Sequence, residues 1–284
     1  MTFFFFQLLN SLTFAALLFL VASGFTLIFG LMKIVNLAHG AIYLLGGYIT
    51  YSVITMTGNF FLGILAAVVA LALLGIFEQY LLKFAKGVDL RQVLITLGLA
   101  VMINDISLVL FGGDTLSVPV PEFLKTSVDF YDITYPKYRL FVLLFGIVVF
   151  IFLMLLMNKT KLGALIRAGV DDRETIEALG VNISRIFLIT FMLGMALAAI
   201  AGGLGGAFLS LYPTADSEIL VFSLAVVIIG GRGSLLGAAL GSIIVASLST
   251  FGQVWFPELS YFVIFGPMAL LLAFRPNGLF GKPI

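Results

Sequence analysis

The sequence contains no cysteine, a single histidine and few charges, which account for only 10% of its 284 residues. The absence of cysteine excludes disulfide frameworks, cysteine-ligated zinc and thiol redox sites. With one histidine, the chain has neither an H-E-x-x-H motif nor a multi-histidine metal site. A soluble protein has about 25% charged residues, so the charges present here are too few to cover a surface in water. The composition therefore excludes a soluble globular protein.

Sequence motifs for catalysis are missing as well. The chain has no phosphate-binding loop of the form G-x-x-x-x-G-K-S/T and no G-x-S-x-G nucleophile elbow. An aspartyl intramembrane protease needs two facing carboxylates, and only Asp105 lies clearly inside a hydrophobic run. The net charge of +1 provides no basic excess for nucleic acid. We therefore predict a protein that is not an enzyme, needs no cofactor or metal, and binds no nucleic acid.

Long hydrophobic runs make up most of the chain, with 62% hydrophobic residues and a mean hydropathy of +1.21. A helix that crosses a bilayer needs about 20 apolar residues, and these runs lack the alternation of barrel strands. The sequence predicts an all-α polytopic membrane protein, a single domain over 1–284 with about eight or nine transmembrane or half-membrane helices. We place these helices near 8–31, 34–56, 60–82, 91–112, 138–157, 185–210, 218–230, 235–254 and 259–274. The run 218–230 is only about 20 Å long as a helix, which makes 218–254 either two crossings or one re-entrant pair.

Lysine and arginine are concentrated on one side of these runs. Most of the 15 cations fall in the loops around 83–91 and 158–185, at short breaks near Lys33 and Arg232, and in the C-terminal tail. Cytoplasmic loops of membrane proteins carry the excess of lysine and arginine. We therefore predict a cytoplasmic 158–185 loop, a cytoplasmic C-terminus, an external N-terminus and a periplasmic 113–137 loop.

Two hydrophobic runs are interrupted by a glycine-containing segment with one cation. The first run reads FTLIFGLMKIVNLAHGAIYLLGGYI, and the second reads FSLAVVIIGGRGSLLGAALGSII. Backbone groups freed from a helix inside a bilayer must be buried in protein or line a cavity. Because transporters build midplane sites from paired interrupted helices, the pattern predicts pseudo-symmetric halves. The simpler alternative is that the glycines only let neighbouring helices approach closely.

Polar residues follow the first break. On a helix, Asn36 and His39 are three residues apart and share a face, with Gly40 and Tyr43 following on the same side. Polar residues within a membrane either form hydrogen bonds between helices or mark a functional site, and both interpretations stay open for this pair.

Two carboxylates need separate interpretations. Asp105 is either a proton or substrate site, or it pairs with a cation on a neighbouring subunit. Glu78 lies close to the predicted cytoplasmic end of its helix, near Lys83 and water. We predict a structural role for Glu78.

The long cytoplasmic loop begins with basic residues and continues as an amphipathic helix. Asp171 and Asp172 lie at the predicted start of this helix, where carboxylates suit the helix dipole, and Gly180 is a plausible stop. An interfacial helix on lipid headgroups is one interpretation. The acidic residues, which also include Glu174 and Glu177, argue against an anionic leaflet and favour docking to a cytoplasmic protein.

Three segments carry a resemblance to a known family. They read GLMKIVNLAHGAIYLLGGY, then LGALIRAGVDDRETIEALGVN continuing into ISRIFLITFMLGMALAAIAGGLGG, and VVIIGGRGSLLGAALGS. Together they closely resemble the LivH-type permease of high-affinity branched-chain amino-acid ABC importers, in the same order and over nearly the whole chain. The resemblance implies a subunit in the bacterial inner membrane that works with a LivM-like second permease or a second copy of itself. It also implies two cytoplasmic ATPases and a periplasmic solute-binding protein as partners.

The resemblance also implies roles for individual residues. The segment 163–180 corresponds to the helix that couples to the ATPases, although Leu179 interrupts its EAA-like signature. Its candidate residues are Arg167, Asp171, Asp172, Glu174, Glu177, Ala178 and Gly180. An NxAHG element and a GGxGS element correspond to the two breaks, and we predict that both breaks line the substrate path. The candidate path residues are Asn36, His39, Gly40, Tyr43, Gly230, Gly231, Gly233 and Ser234.

Alternative functions come from the same family and from outside it. Related permeases carry urea, short amides, other neutral amino acids or aromatic acids, and nothing in the hydrophobic runs decides between these cargoes. A stand-alone carrier coupled to an ion gradient would use Asp105 as its ion site. The resemblance assigns no role to Asp105.

Overall fold

The computed structural model describes residues 2–32, 35–85, 88–130, 133–171, 173–275 and 277–281. Within these ranges the chain forms eleven α-helices and one short hairpin. The helices are α1 (Thr2–Met32), α2 (His39–Thr57), α3 (Phe60–Phe84), α4 (Asp89–Phe111), α5 (Lys137–Lys159), α6 (Lys161–Asp171), α7 (Arg173–Ala178), α8 (Ile183–Phe208), α9 (Ala215–Gly230), α10 (Leu235–Trp255) and α11 (Ser260–Phe274). The strands are β1 (Ser127–Phe130) and β2 (Ile133–Pro136), paired antiparallel.

The nine predicted helices are all present, and the chain is a polytopic all-α membrane protein. Six of the described helices are long and apolar enough to cross a bilayer, namely α1, α3, α4, α5, α8 and α10. The hairpin is an addition within a segment predicted as a loop. The helices α6 and α7 lie in the 158–185 segment, where a single amphipathic helix is predicted. We call the end where α1 finishes the inner end of the bundle, and the end where it begins the outer end.

Helix α1 forms the centre of the bundle. Its residues are buried almost without interruption from Ser11 to Ile28, and it packs against α5, α8, α9 and α10. A helix that is apolar on all sides is stable only when protein surrounds it or lipid covers it. The surrounding helices meet this condition for α1, whereas α3, α4 and α5 expose much of their apolar surface.

Glycines bring α2 and α8 together more closely than any larger residue permits. A Cβ atom on Gly202 would overlap the carbonyl oxygen of Tyr43 and lie 2.8 Å from the Gly47 nitrogen. A Cβ atom on Gly46 would lie 2.7 Å from the Cα of Ala199. Small residues at such crossings let helix backbones touch in a membrane, so the close-packing interpretation of this glycine cluster is confirmed.

Helix α2 begins inside the bundle rather than at its inner end. The Leu37 N–H donates to Thr96 Oγ1 over 3.2 Å, and the Asn36 side chain lies beside Glu78. Thr96 is seven residues after the start of α4, and Glu78 is six residues before the end of α3. At 1.5 Å per residue, α2 starts about 10 Å inside these helix ends.

Helix α9 also begins inside the bundle, but it enters from the outer side. A Cβ atom on Gly40 would overlap the Asp216 carbonyl oxygen, so the N-termini of α2 and α9 touch. The sixteen residues of α9 span about 24 Å, which is less than the roughly 30 Å thickness of a hydrocarbon core. The structure therefore supports the prediction of a half-membrane helix in this region.

The outer end carries the hairpin and the segment that precedes it. Leu116 forms an isolated antiparallel bridge with Leu211, with N–H···O distances of 2.8 and 2.7 Å. Tyr135 on β2 is buried, and its hydroxyl lies 3.0 Å from Thr13 Oγ1 on α1. The beginning of α1 and the 113–137 segment therefore lie at the same end of the bundle, as the topology prediction requires.

Candidate functional site

The first break places Asn36 before α2 rather than on it. Asn36 Oδ1 accepts a hydrogen bond from the Ala38 N–H over 2.9 Å, and the Asn36 carbonyl accepts one from the His39 N–H over 3.3 Å. Asn36 therefore holds the turn that starts α2. The prediction that Asn36 and His39 share a helix face is wrong, because the helix begins only at His39.

The His39 imidazole is fully buried against α1. Its Nε2 lies 3.0 Å from the Val21 carbonyl oxygen, and its ring meets the Phe25 ring edge-on at 5.4 Å. Its Nδ1 has no hydrogen-bond partner among the described residues. His39 therefore makes a hydrogen bond between α2 and α1, which is the first of the two interpretations offered by the sequence. Its second ring nitrogen, Nδ1, is not used in this contact.

Glu78 is buried, with 1% of its surface exposed, so the expectation that it lies near water is wrong. Its carboxylate lies beside the Asn36 side chain. In the described part of the chain, neither Glu78 Oε1 nor Asn36 Nδ2 has a partner of standard hydrogen-bond geometry. A buried polar atom without a partner costs about 1–3 kcal/mol, so this pair is an unusual polar spot in the inner half of the bundle.

Tyr43 and Gly40 face neighbouring helices. The Tyr43 ring is buried over Gly205, where a Cβ atom would overlap its hydroxyl. That hydroxyl has no hydrogen-bond partner within the described residues. Gly40 packs against α9 at Asp216 and Leu220. Both residues belong to helix contacts that hold the start of α2 in the middle of the bundle.

The second break is a tight turn between α9 and α10. Gly231 and Gly233 have φ values of +100° and +74°, a conformation that favours glycine. Ser234 caps α10, since its Oγ accepts a hydrogen bond from the Gly237 N–H over 3.0 Å. Gly230 packs directly against Gly237.

The C-terminal tail covers this turn. The Leu279 and Phe280 N–H groups donate to the carbonyl oxygens of Ile229 and Gly230, over 2.9 and 3.0 Å. A Cβ atom on Gly30, at the end of α1, would lie 2.9 Å from the Cα of Gly233. The GGRGS turn thus contacts the end of α1 and the tail. Its role on a substrate path, and the pseudo-symmetry of the two breaks, stay predictions.

A pocket of about 300 Å³ lies where α2, α4 and the start of α9 meet. Asp105, to which the family resemblance assigns no role, lines this pocket. The pocket is lined by Leu44, Tyr48, Asn104, Asp105, Ser107, Leu108, Pro213, Thr214, Asp216 and Ser217. Its volume is at the small end of the range for ligand sites. The start of α2 therefore meets the start of α9, through Gly40 and Asp216.

The pocket is acidic. Asn104 Nδ2 donates to Asp216 Oδ2 over 2.7 Å, and the Asp105 side chain is exposed. No lysine or arginine lines the pocket, and no ion pair of Asp105 occurs within the described ranges. Ser107 is 3% exposed, and its Oγ has no hydrogen-bond partner among the described residues.

The 210–217 segment is not among the site residues predicted from the sequence. Ser210 and Thr214 have φ values of +67° and +85°, which non-glycine residues rarely adopt. Such a conformation depends on the surrounding packing and has no signature in the sequence. The one available signal is Asp216, a carboxylate at the edge of a hydrophobic run.

The predicted coupling segment contains two helices rather than one. Asp171 is the last residue of α6, so the prediction that it lies at the start of the amphipathic helix is wrong. Asp172 and the side chain of Glu174 lie outside the described part of the chain. Arg167 is exposed on α6. A small core of Ile166, Ile183, Ile186 and Phe187 fixes this segment to the start of α8.

Gly180 stops α7 as predicted. Its φ is +83°, its N–H donates to the Glu177 carbonyl over 3.0 Å, and the Val181 N–H donates to the Ile176 carbonyl over 3.3 Å. These two bonds define a Schellman motif. The motif turns Leu179 outward with 72% of its surface exposed, next to the exposed Ala178. The turn thus presents an apolar side chain at the inner end of the bundle.

Comparisons with known proteins cover almost the entire chain. Residues 7–272 match the model of a family described as "Branched-chain amino acid transport system / permease component". The high-affinity branched-chain amino acid transport system permease protein BraD of Pseudomonas aeruginosa is 28% identical, over 98% of this chain and 95% of its own length. The permease protein LivH of Escherichia coli is 23% identical over the same shares. The xylose/arabinose import permease protein XylH of Sulfolobus acidocaldarius is 26% identical over 70% of this chain and 55% of its own. No solved structure matches.

Proposed function

Since the chain belongs to the family of branched-chain amino acid transport system permease components, we propose that it is the membrane-spanning subunit of an ABC importer for branched-chain amino acids. The observation that supports this most is the family match over residues 7–272, which includes five of the six long apolar helices in full and α1 from residue 7 onward. The chain is a transporter permease and not an enzyme. Its place would be the inner membrane of a bacterium.

The energy for transport would come from partner subunits. The sequence has no phosphate-binding loop, so ATP hydrolysis requires two cytoplasmic ATPases. A LivM-like permease or a second copy of this chain would complete the transmembrane part. A periplasmic solute-binding protein would deliver the cargo to the outer end. Because that receptor selects the cargo, the permease itself needs only weak binding to shift between its two access states.

The turn after α7 would be the contact to the ATPases. Glu177, Ala178 and Gly180 belong to this turn, and Arg167 lies on the preceding helix. Covering the exposed Leu179 side chain with a partner would remove its apolar surface from water, which favours docking at this turn. Because the small core around Ile166 joins this segment to α8, movement of the turn would be transmitted directly to a helix that packs against α1, α2 and α3.

The composition of the purified complex tests the proposed function. The tagged chain is purified from its native membrane in mild detergent, and its partners are identified by mass spectrometry. We expect two ATPases and a second permease in stoichiometric amounts, and ATP-dependent uptake of labelled leucine after reconstitution with the binding protein. Unlabelled urea should compete far less than unlabelled isoleucine. A chain that purifies alone and transports with an ion gradient would support the carrier alternative instead.

Single cysteines test the predicted orientation without background, because the natural chain has none. Leu179→Cys should react with a membrane-impermeant maleimide only after the cells are opened. Asp114→Cys, in the exposed segment at the outer end, should react in intact cells. The unmodified chain serves as the unlabelled control, and the reverse pattern would invert the topology.

A further inference from the structure

We propose that the pocket between α2, α4 and α9 binds the ammonium group of an amino acid in transit, with Asp105 and Asp216 as its two acidic partners. This inference rests on the proposed function and adds to it a binding site with a defined chemistry. The site requires a primary ammonium group on the cargo. It therefore distinguishes amino acids from the urea, amides and organic acids that related permeases carry.

The position of Asp105 gives the first argument. Asp105 is six residues before the end of α4, about 9 Å inside the helix end. Placing a charged side chain in contact with lipid at this depth costs free energy, so such side chains face a cavity or other parts of the protein. Asp105 lines the pocket and has no ion pair in the described part of the chain. A cationic group of the cargo would supply the missing partner.

The second acid lies at the N-terminus of α9. Asp216 already accepts a hydrogen bond from Asn104 Nδ2 through Oδ2, which fixes the carboxylate on the pocket wall. A carboxylate accepts several hydrogen bonds at once, so Asp216 has capacity for a further donor. The hydrogen bond to Asn104 also explains why a residue of the hydrophobic α4 is an asparagine.

Ser107 gives an observation that is independent of the acids. It lines the same pocket, it is more than nine-tenths buried, and its Oγ has no hydrogen-bond partner among the described residues. Buried hydroxyl groups are nearly always hydrogen-bonded, and an empty bonding position on a pocket wall indicates a ligand. A hydroxyl is a good acceptor for the third N–H of an ammonium group.

The remaining walls suit the rest of a small aliphatic amino acid. Leu44 and Leu108 provide apolar contact from α2 and α4, and the Tyr48 ring lies beside them, stacked on Phe111 at 4.4 Å.

Neutralising each acid tests this site in the complete reconstituted importer. Asp105→Asn and Asp216→Asn should each lower leucine uptake about tenfold or more, while Asp105→Glu restores at least a third of it. Asp114→Asn, which removes an exposed carboxylate outside the pocket, is the matched control and should transport like the natural chain. Co-purification of the ATPases with each variant checks that the complex has assembled.

Analogues of leucine test the chemistry directly. In binding measurements on the purified permease pair in nanodiscs, 3-methylbutylamine, which keeps the ammonium group, should displace labelled leucine. 4-Methylpentanoate, which lacks it, should be at least tenfold weaker. The inference is overturned if the natural importer carries leucine while both Asn variants keep more than half of its uptake, or if the two analogues compete equally. Failure of the natural importer to carry leucine at all would instead contradict the proposed function.

Discussion

Replacing Gly202 by alanine should prevent this protein from accumulating in a folded form. The added methyl group would overlap backbone atoms of Tyr43 and Gly47 on α2. Backbone atoms cannot rotate away as side chains do, so the overlap can be relieved only if the whole helix moves. Overpacking a well-packed interior costs about 1–3 kcal/mol even where side chains rearrange. We therefore expect about a tenfold or larger loss of monodisperse protein in detergent extracts, measured by fluorescence-detected size-exclusion chromatography.

The same substitution at Gly98 is the control. Gly98 lies within α4, and a Cβ atom there meets nothing within 4 Å. Because alanine is favoured over glycine in a helix by roughly 0.5–1 kcal/mol, Gly98→Ala should raise the thermal midpoint slightly or leave it unchanged. Equal behaviour of the two variants would show that α2 and α8 do not touch through their backbones.

Replacing Leu179 by aspartate should uncouple the permease from its ATPases. The side chain is 72% exposed and lies at the turn that ends α7, so the change leaves the packing of the chain intact. Removal of a central apolar anchor from an interface costs about 2 kcal/mol or more, which corresponds to more than tenfold weaker docking. We expect the chain to insert normally, with loss of leucine uptake and of ATPase stimulation by the loaded binding protein.

Leu179→Met keeps the apolar contact and should retain most of both activities. The amount of ATPase that co-purifies with each variant measures docking independently of transport. Normal uptake by Leu179→Asp would exclude this turn as the coupling contact. The exposed Arg167 on α6 would then be the next candidate.

Hydropathy is enough to predict these nine helices, because each of them is a continuous apolar run that protein or lipid has to cover. All nine predicted runs appear as helices. The glycine pattern indicates close helix packing but not which helices meet, and the structure shows that α2 and α8 do. The hairpin at 127–136 was not predicted, because its four-residue strands contain no hydrophobic run and depend on contact with α1 through Tyr135 and Thr13.

The candidate site can be predicted only in part from the sequence. Its residues come together because α2 and α9 both begin inside the bundle and not at its ends. The similarity between the two breaks predicts a shared site, and this stays a prediction. The contacts that the sequence does not reveal are those of Gly40 with Asp216 and of Gly233 with the end of α1. Hydropathy reports how long a helix is and not how far into the bundle it starts. The same limit applies to Glu78. Its position in the sequence predicts that it lies near water, but the packing of the helices buries it.

The hydrogen bonds from Leu279 and Phe280 to the last carbonyls of α9 have a consequence for the order in which the chain can fold. The carbonyl groups at the C-terminal end of a helix have no partner within that helix. Here two of the missing donors come from a segment that follows α10 and α11 in the chain. The final turn of α9 is therefore completed only after both of the following helices have been synthesised.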